Sequence, residues 1–233
     1  MKISLFSLPA IAPGKHNVKD PRLDQVDKLV KAKKKTYVQV ELVGEADALQ
    51  ADAILALKGC RTDLVLKDLE FVETRLSRSA SEQEKSFLNK LKAFLEKEEF
   101  IFHAGLSLEE QQLMSSYVLL TNKPVILAEA AEVDDLDALL SRVLKESGVV
   151  SFFTAGEKET RAWLIKQGAT AWEASGAIHS DIQKGFIRAE IISFNDYIQA
   201  GGETAAKQAG KLRLEQKEYV MQDADLANFR FNK

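Results

Sequence analysis

The stretch HSDIQKGFIRAEIISFNDYIQAGGETAAKQAGKLR, running from His179 to Arg213, decides how the rest of the chain is read. Residues 186–194 within it, and 211–215 across its end, have the period-2 character of short strands. Working outward, comparable segments lie at 149–155, 161–165, 219–222 and 228–231, with only short helical pieces between them. Many short strands with one or two helices predict a compact sheet of ubiquitin-like or β-grasp type. The character of the chain changes at Val150 without a flexible linker. Two domains are therefore expected, 1–150 and 151–233.

The first part reads differently. Residues 2–8 form an apolar run with strand character, and 10–15 a turn or a second extended piece. Asp20-Pro21 starts a helix, with Asp20 as N-cap and Pro21 at the first helical position, where its missing N–H costs nothing. Residues 36–43 alternate as a strand should. Residues 53–60 are almost continuously apolar, as in a central strand, and 123–128 give a third strand. Strands separated by helices predict an α/β layer with a largely parallel sheet.

Between the second and third of these strands, apolar residues recur at helical spacing over 63–78 (Leu66, Leu69, Val72, Leu76). After the SRSAS turn they recur again through Phe87, Leu88, Leu91, Phe94 and Leu95. Ser81 with Glu84, and later Ser107 with Glu110, have the spacing of capping boxes. The two long amphipathic helices predict an antiparallel hairpin over about 63–100, either projecting to grip a partner or sealed helix against helix. A last helix spans 134–147, with Gly148 positioned to terminate it.

Composition sets limits. A net charge of −3 is too small for bulk attraction to nucleic acid or an anionic membrane, and on neither side of Val150 do Lys and Arg outnumber Asp and Glu. Any such binding must come from a local patch. The single cysteine, Cys60, excludes an internal disulfide, and no Cys or His spacing suits a metal. A reducing, cytoplasmic setting is expected. The N-terminal apolar run, interrupted by Pro9 and Pro13, is too short for a signal-peptide core or a membrane span.

Specific residues then point to a family. FTAGEKETRAW (153–163), GATA (168–171), IHSDIQKGFIRAEII (178–192), AAKQAGKLRLE (205–215) and FRFN (229–232) resemble, in order, the C-terminal TGS-type domain of the Obg-like ATPases, the YchF family. Gln216 and Ala224 stand where that pattern usually has glycine, a difference that matters where φ is positive. The resemblance extends thinly upstream through DPRLD (20–24), ADAI (51–54) and NKPVILA (122–128), and the helical hairpin lies where the family carries its coiled-coil arm. It implies a truncated P-loop-GTPase-like α/β domain with an inserted helical hairpin, followed by a β-grasp α+β domain.

What lies between the upstream landmarks is shortened. A phosphate-binding loop needs Gly-x-x-x-x-Gly-Lys-Ser/Thr between a strand and a helix, because backbone N–H groups there cradle phosphate and the hydroxyl holds magnesium. Here Gly14-Lys15 is followed by His16. The magnesium-positioning Asp-x-x-Gly has as its counterpart Glu41 to Gly44, and the adenine-reading Asn-x-x-Glu has Glu129 to Glu132. Gly14, Lys15, Glu41, Gly44, Glu129 and Glu132 are thus read as remnants of a nucleotide site. The expectation is a chain that is not an enzyme, with ATPase or GTPase activity lost, no catalytic residues, no metal, and no ATP or GTP with magnesium as cofactor.

The functional reading is then a non-catalytic binding or regulatory module whose TGS-like domain contacts RNA or the ribosome, the partner class the resemblance implies. No DNA or membrane partner is expected. Lys184, Arg188, Lys207, Lys211, Arg213 and Arg230 are the candidate contacts; the same residues also suit surface charge paired with the equally numerous carboxylates. A residual ATP- or GTP-binding switch, and a protein-interaction regulator using the helical hairpin, stand as alternatives. His179 reads as a hydrogen-bonded structural group, and Trp163 and Trp172 as core.

Overall fold

The computed structural model describes residues 1–79 and 81–232; Ala80, in the SRSAS turn, and Lys233, the last residue of the expected second domain, lie outside the described residues. In chain order the elements are β1 (Lys2–Phe6), β2 (Gly14–Val18), α1 (Pro21–Val30), β3 (Lys35–Thr36), β4 (Val38–Val43) and β5 (Ala53–Leu57). Helices α2 (Arg61–Arg78), α3 (Glu82–Leu95) and α4 (Leu108–Met114) follow, then β6 (Val125–Ala128) and α5 (Leu136–Glu146). The remainder carries β7 (Val149–Ala155), β8 (Thr160–Lys166), α6 (Ala171–Ile178), α7 (Ser180–Lys184) and β9 (Phe186–Ile192). It closes with α8 (Phe194–Ala200), α9 (Glu203–Gln208), β10 (Arg213–Glu215) and β11 (Leu226–Phe231).

The chain divides into two compact units, 1–16 with 40–147 and 17–39 with 148–233. The expected single cut at Val150 differs at 17–39. Leu23 and Val26 of α1 are fully buried, α1 packs on β7 and β8, and β3 pairs parallel with β8, Lys35 opposite Thr160. An apolar helix face announces burial but not the surface that covers it.

In the first unit the strands form a five-stranded sheet in the order β2-β4-β1-β5-β6. The pairings of β1 with β4 and β5, and of β5 with β6, are parallel. Ala53 to Ala56 are completely buried, as expected of a strand covered on both faces. The strand expected over 53–60 stops at Leu57, where Lys58–Cys60 forms a 3-10 turn into α2. The hairpin of α2 and α3 closes through Val65, Val72, Phe87, Leu88, Leu91 and Leu95, and the same cluster takes in Phe100, Met114, Tyr117 and Leu119. It is part of the core, with about 1.5–3 kcal/mol to be lost for each such side chain returned to water.

Local caps follow the sequence with one exception. Asp20 accepts the Arg22 N–H, and the Ser107–Glu110 capping box is complete. Ser81 accepts the Glu84 N–H, but the Glu84 carboxylate does not return to Ser81; it binds Arg75 (2.8 Å), Ser79 (2.5 Å) and Tyr117.

The second unit is a six-stranded mixed sheet, β10-β9-β11-β7-β8-β3, with the antiparallel pairs β7–β8 and β9–β11 brought together by the parallel contact of β11 with β7. Helix α6 covers one face over Phe152, Ile165, Ala189, Ile191 and Phe229, an α+β arrangement of β-grasp type. The expected strand at 219–222 is reduced to a single bridge, Thr170 with Val220. Phe194 begins α8 instead of ending β9, because Ser193 caps the helix on the Asp196 N–H.

Candidate functional site

Two places carry the residues singled out by sequence. The first is the turn after β1. Ser7 adopts a φ of 54°, Leu8 and Ile11 are buried, and the Ile11 N–H donates to the Leu8 carbonyl (3.2 Å). The element that follows is a strand, β2, starting at Gly14 with a φ of 145°. A phosphate cradle requires a helix there, whose first N–H groups have no partners of their own.

The residues read as remnants of a nucleotide site are distributed through the first unit. Gly14 and Lys15 open β2, with Lys15 exposed; Glu41 lies in β4 opposite Lys2. The Gly44 carbonyl accepts the Ser4 hydroxyl (3.3 Å). Only Glu129 and Glu132 are brought together. They cap the 3-10 turn Ala130–Asp134 reciprocally, with the Glu129 N–H donating to Glu132 Oε2 (2.7 Å). Glu129 also pairs with Lys58 (2.8 Å), and Glu132 with Arg142 (3.2 Å).

Sequence reasoning missed two charges in the first unit that are tied to backbone groups, Asp68, which is buried, and Lys123, which is half-buried. The Asp68 carboxylate accepts the N–H groups of Leu120 (2.8 Å) and Thr121 (2.7 Å), and burial raises its pKa. The Lys123 ammonium donates to the carbonyls of Ala48, Leu49 and Ala51 at 2.8–3.0 Å, and burial lowers its pKa. For Asp68 a signal was available: with Val65 and Val72 it sits on the apolar stripe of α2, where an acid needs donors. Among the described residues no group of three or more His, Cys, Asp or Glu side chains is placed to hold a metal.

The second place is the face of β9 and β11 opposite α6. Along β9, Ala189 and Ile191 enter the core, so Arg188 and Glu190 lie on the other face. Register sets Arg188 directly across from Arg230 of β11. Glu190 accepts Arg230 Nη2 and Asn228 Nδ2, each at 2.8 Å. Burial alone would raise the Glu190 pKa, but these two donors hold it below the usual carboxylate value.

The other candidates divide by whether a carboxylate already holds them. Lys207 pairs with Glu203 (2.5 Å) and Lys211 with Asp196 (3.1 Å). Arg213 donates to the Tyr219 hydroxyl (2.9 Å), which in turn donates to the buried Asp225 (2.9 Å), and its guanidinium lies over the Tyr219 ring. Lys184 and Arg188 make no ion pair among the described residues. Lys184 lines an open hollow with His179, Ile182 and Phe231. The Nδ1 of His179 accepts the Asp181 N–H (3.1 Å) as the cap of α7.

A family model named for the YchF-GTPase C-terminal region, described as "Protein of unknown function (DUF933)", matches residues 149–232. The "Ribosome-binding ATPase YchF" of Bacillus subtilis (strain 168) is 32% identical over 248 residues, covering 78% of this chain and 68% of the relative. The chain belongs to the YchF family. The protein of the same name from Haemophilus influenzae is 34% identical over 233 residues, covering 73% of this chain and 64% of its own length. The one from Escherichia coli O157:H7 is 52% identical over 97 residues, which cover 40% of this chain and 27% of that one. Among solved structures, the "Structure of the Schizosaccharomyces pombe YchF GTPase" superposes with a TM-score of 0.78 at 20% identity, covering 99% of this chain and 97% of that one.

These matches overturn one expectation. The chain was expected not to be an enzyme because its phosphate loop is missing. The relatives are named as an ATPase and the matched structure as a GTPase, so the family is one of enzymes, and no comparison shows that activity lost.

Proposed function

We propose that this chain is a cytoplasmic, ribosome-associating member of the YchF family that contacts ribosomal RNA through the β9–β11 face of its second, TGS-like unit. The relatives' name, ribosome-binding ATPase, supports the partner, and one observation supports the face. Arg188 and Arg230 stand directly across from each other on neighbouring strands, and Glu190 neutralises only Arg230. Like charges so placed repel, and a phosphate between them relieves that repulsion while gaining charge-assisted hydrogen bonds. Lys184, also without an ion pair among the described residues, ends α7 just before β9 and adds a positive charge close in the chain to Arg188. The contact is to backbone phosphate and carries no base specificity.

ATP or GTP with magnesium is not cradled by the turn over residues 7–13, because β2 and not a helix follows it. Hydrogen exchange with and without saturating Mg-ATP tests this; slowed exchange at residues 7–15 overturns it.

Co-sedimentation with ribosomes over a range of salt tests the RNA face. Association should weaken steeply with salt, and Arg188→Glu should reduce it at least about tenfold and lower the logarithmic salt slope by about 1. Association that is independent of both salt and Arg188 overturns the proposal.

A further inference from the structure

The arginine pair on β9 and β11 holds phosphate without reading a base, and a cavity beside it in the second unit is left unused. Parallel β7 and β11 pair at Phe153 with Leu226. Beyond that point a cavity of about 370 Å³ opens between residues 154–156, at the end of β7, and residues 227–229 of β11. That volume lies in the ~300–1,000 Å³ range of small-molecule sites. Ile192, Leu212, Leu226 and Phe229 supply apolar wall, and the exposed Asn228 stands where the cavity meets solvent.

The polar groups decide what can enter. Glu159, Glu190 and Glu203 line the cavity, and no lysine or arginine does, so a phosphate is kept out. Each acid already has a cation outside the lining: Lys34 for Glu159, Arg230 for Glu190 and Lys207 for Glu203. A neutral group carrying N–H donors therefore suits the cavity better than a further cation. Glu190 is the most enclosed of the three, its side chain 11% exposed. It accepts one hydrogen bond at each oxygen, from Arg230 on Oε1 and from Asn228 on Oε2. An ionised carboxylate has about four lone-pair sites, so each oxygen keeps acceptor capacity, and the Asn228 amide keeps a second N–H. Glu190 and Asn228 thus present acceptor, acceptor and donor in a row.

We propose that this cavity takes a guanine base, read on its Watson–Crick edge by Glu190 and Asn228, from the RNA nucleotide whose phosphate lies on Arg188 and Arg230. Guanine alone among the four bases carries two adjacent N–H donors, N1–H and the 2-amino group, with the O6 acceptor next to them. Uracil has one N–H between two carbonyls, and adenine and cytosine each set an unprotonated ring nitrogen beside the amino group, where a carboxylate is repelled. Arg230 Nη2 lies 2.8 Å from Glu190, so the base site and the phosphate site are contiguous. The proposal rests on the reading of the arginine pair as a phosphate site and adds a base preference to it.

The test measures binding of fluorescein-labelled oligoribonucleotides to the full chain by anisotropy: uridine alone, and the same oligomer with one central guanosine, adenosine or inosine. The guanosine oligomer should bind at least about fivefold more tightly than the uridine and adenosine ones, the discrimination expected of one bidentate base contact. Inosine keeps N1–H and O6 but lacks the amino group, and should lose part of that preference. Glu190→Gln should abolish the preference while leaving uridine binding equal or tighter, because Arg230 is released. Asn228→Ala, at an exposed position, should reduce the preference with an unchanged thermal melt. Equal affinity for all four oligomers, each weakened by Arg188→Glu, overturns the guanine site and leaves the phosphate site standing. A guanosine preference indifferent to both cavity substitutions also overturns it, and binding of no oligomer overturns both sites. Guanosine monophosphate bound as tightly as the oligomer, with the same dependence on Glu190, assigns the cavity to a free nucleotide and overturns the RNA source.

Discussion

The two units use their charged residues differently. In the first, the side chains that invite a chemical reading are tied into the architecture: Lys123 to three carbonyls, Asp68 to two amides, and Glu129 and Glu132 to each other's turn. In the second, Lys207, Lys211 and Arg213 have carboxylate or hydroxyl partners, whereas Arg188 faces another arginine and has none among the described residues. A charge that has a buried partner maintains the fold. One without a partner, set against a like charge, is available to a ligand.

That contrast can be broken or sharpened by substitution. The largest effect belongs to the core that holds the β9–β11 face. Phe152, completely buried and packed against Trp163 and Phe229, should cost about 3–5 kcal/mol on truncation to Ala in chemical denaturation. If the first unit keeps its own unfolding transition in that variant, the two units are energetically separate as well as compositionally distinct. Asp68→Ala leaves two buried N–H groups unpaired and should cost about 2–4 kcal/mol, now from the first unit. A cost near zero would mean that Asp68 is not needed to hold the loop at Leu120 and Thr121.

A gain is expected at Ala224. This residue adopts a φ of 65°, which strains any side chain with a Cβ, so Ala224→Gly should raise stability by about 1 kcal/mol in the same assay. An unchanged midpoint would contradict that strain. The smallest effect is one of pH. Ser79, Tyr117 and Arg75 together hold the Glu84 carboxylate at about 2, against 4.5 ordinarily. A depressed pKa contributes stability that is fully present above 4.5 and is lost as pH falls from there towards 2. Glu84→Gln should therefore flatten the acid limb of the stability profile over that window and leave the profile above it parallel to wild type.

Much of this architecture was legible in the residues, and what was not shares a cause. Asp20-Pro21, the Ser107–Glu110 box and the apolar run of β5 are local signals, and each marked its element to within a few residues. The grouping of α1 and β3 with the second unit depends on which surface receives Leu23 and Val26, and no local pattern encodes that. The absence of glycine at 216 and 224 was visible, but only the backbone separates the cases: Ala224 is in the left-handed region and Gln216 is not. At the candidate site, sequence picked out six basic residues of the second unit without ranking them. The ranking comes from pairing across β9 and β11 and from the carboxylates on α8, α9 and β9, which only the assembled sheet brings into reach.

The most direct measurement is ribosome co-sedimentation of Arg188→Glu beside Lys211→Glu at several salt concentrations. An uncompensated Arg188 predicts that its reversal reduces association at least about tenfold, while reversal of Lys211, already paired with Asp196, changes it less than about threefold. Equal losses, or a larger loss at Lys211, would contradict the claim that the unpaired arginine on the β9–β11 face is the point of contact.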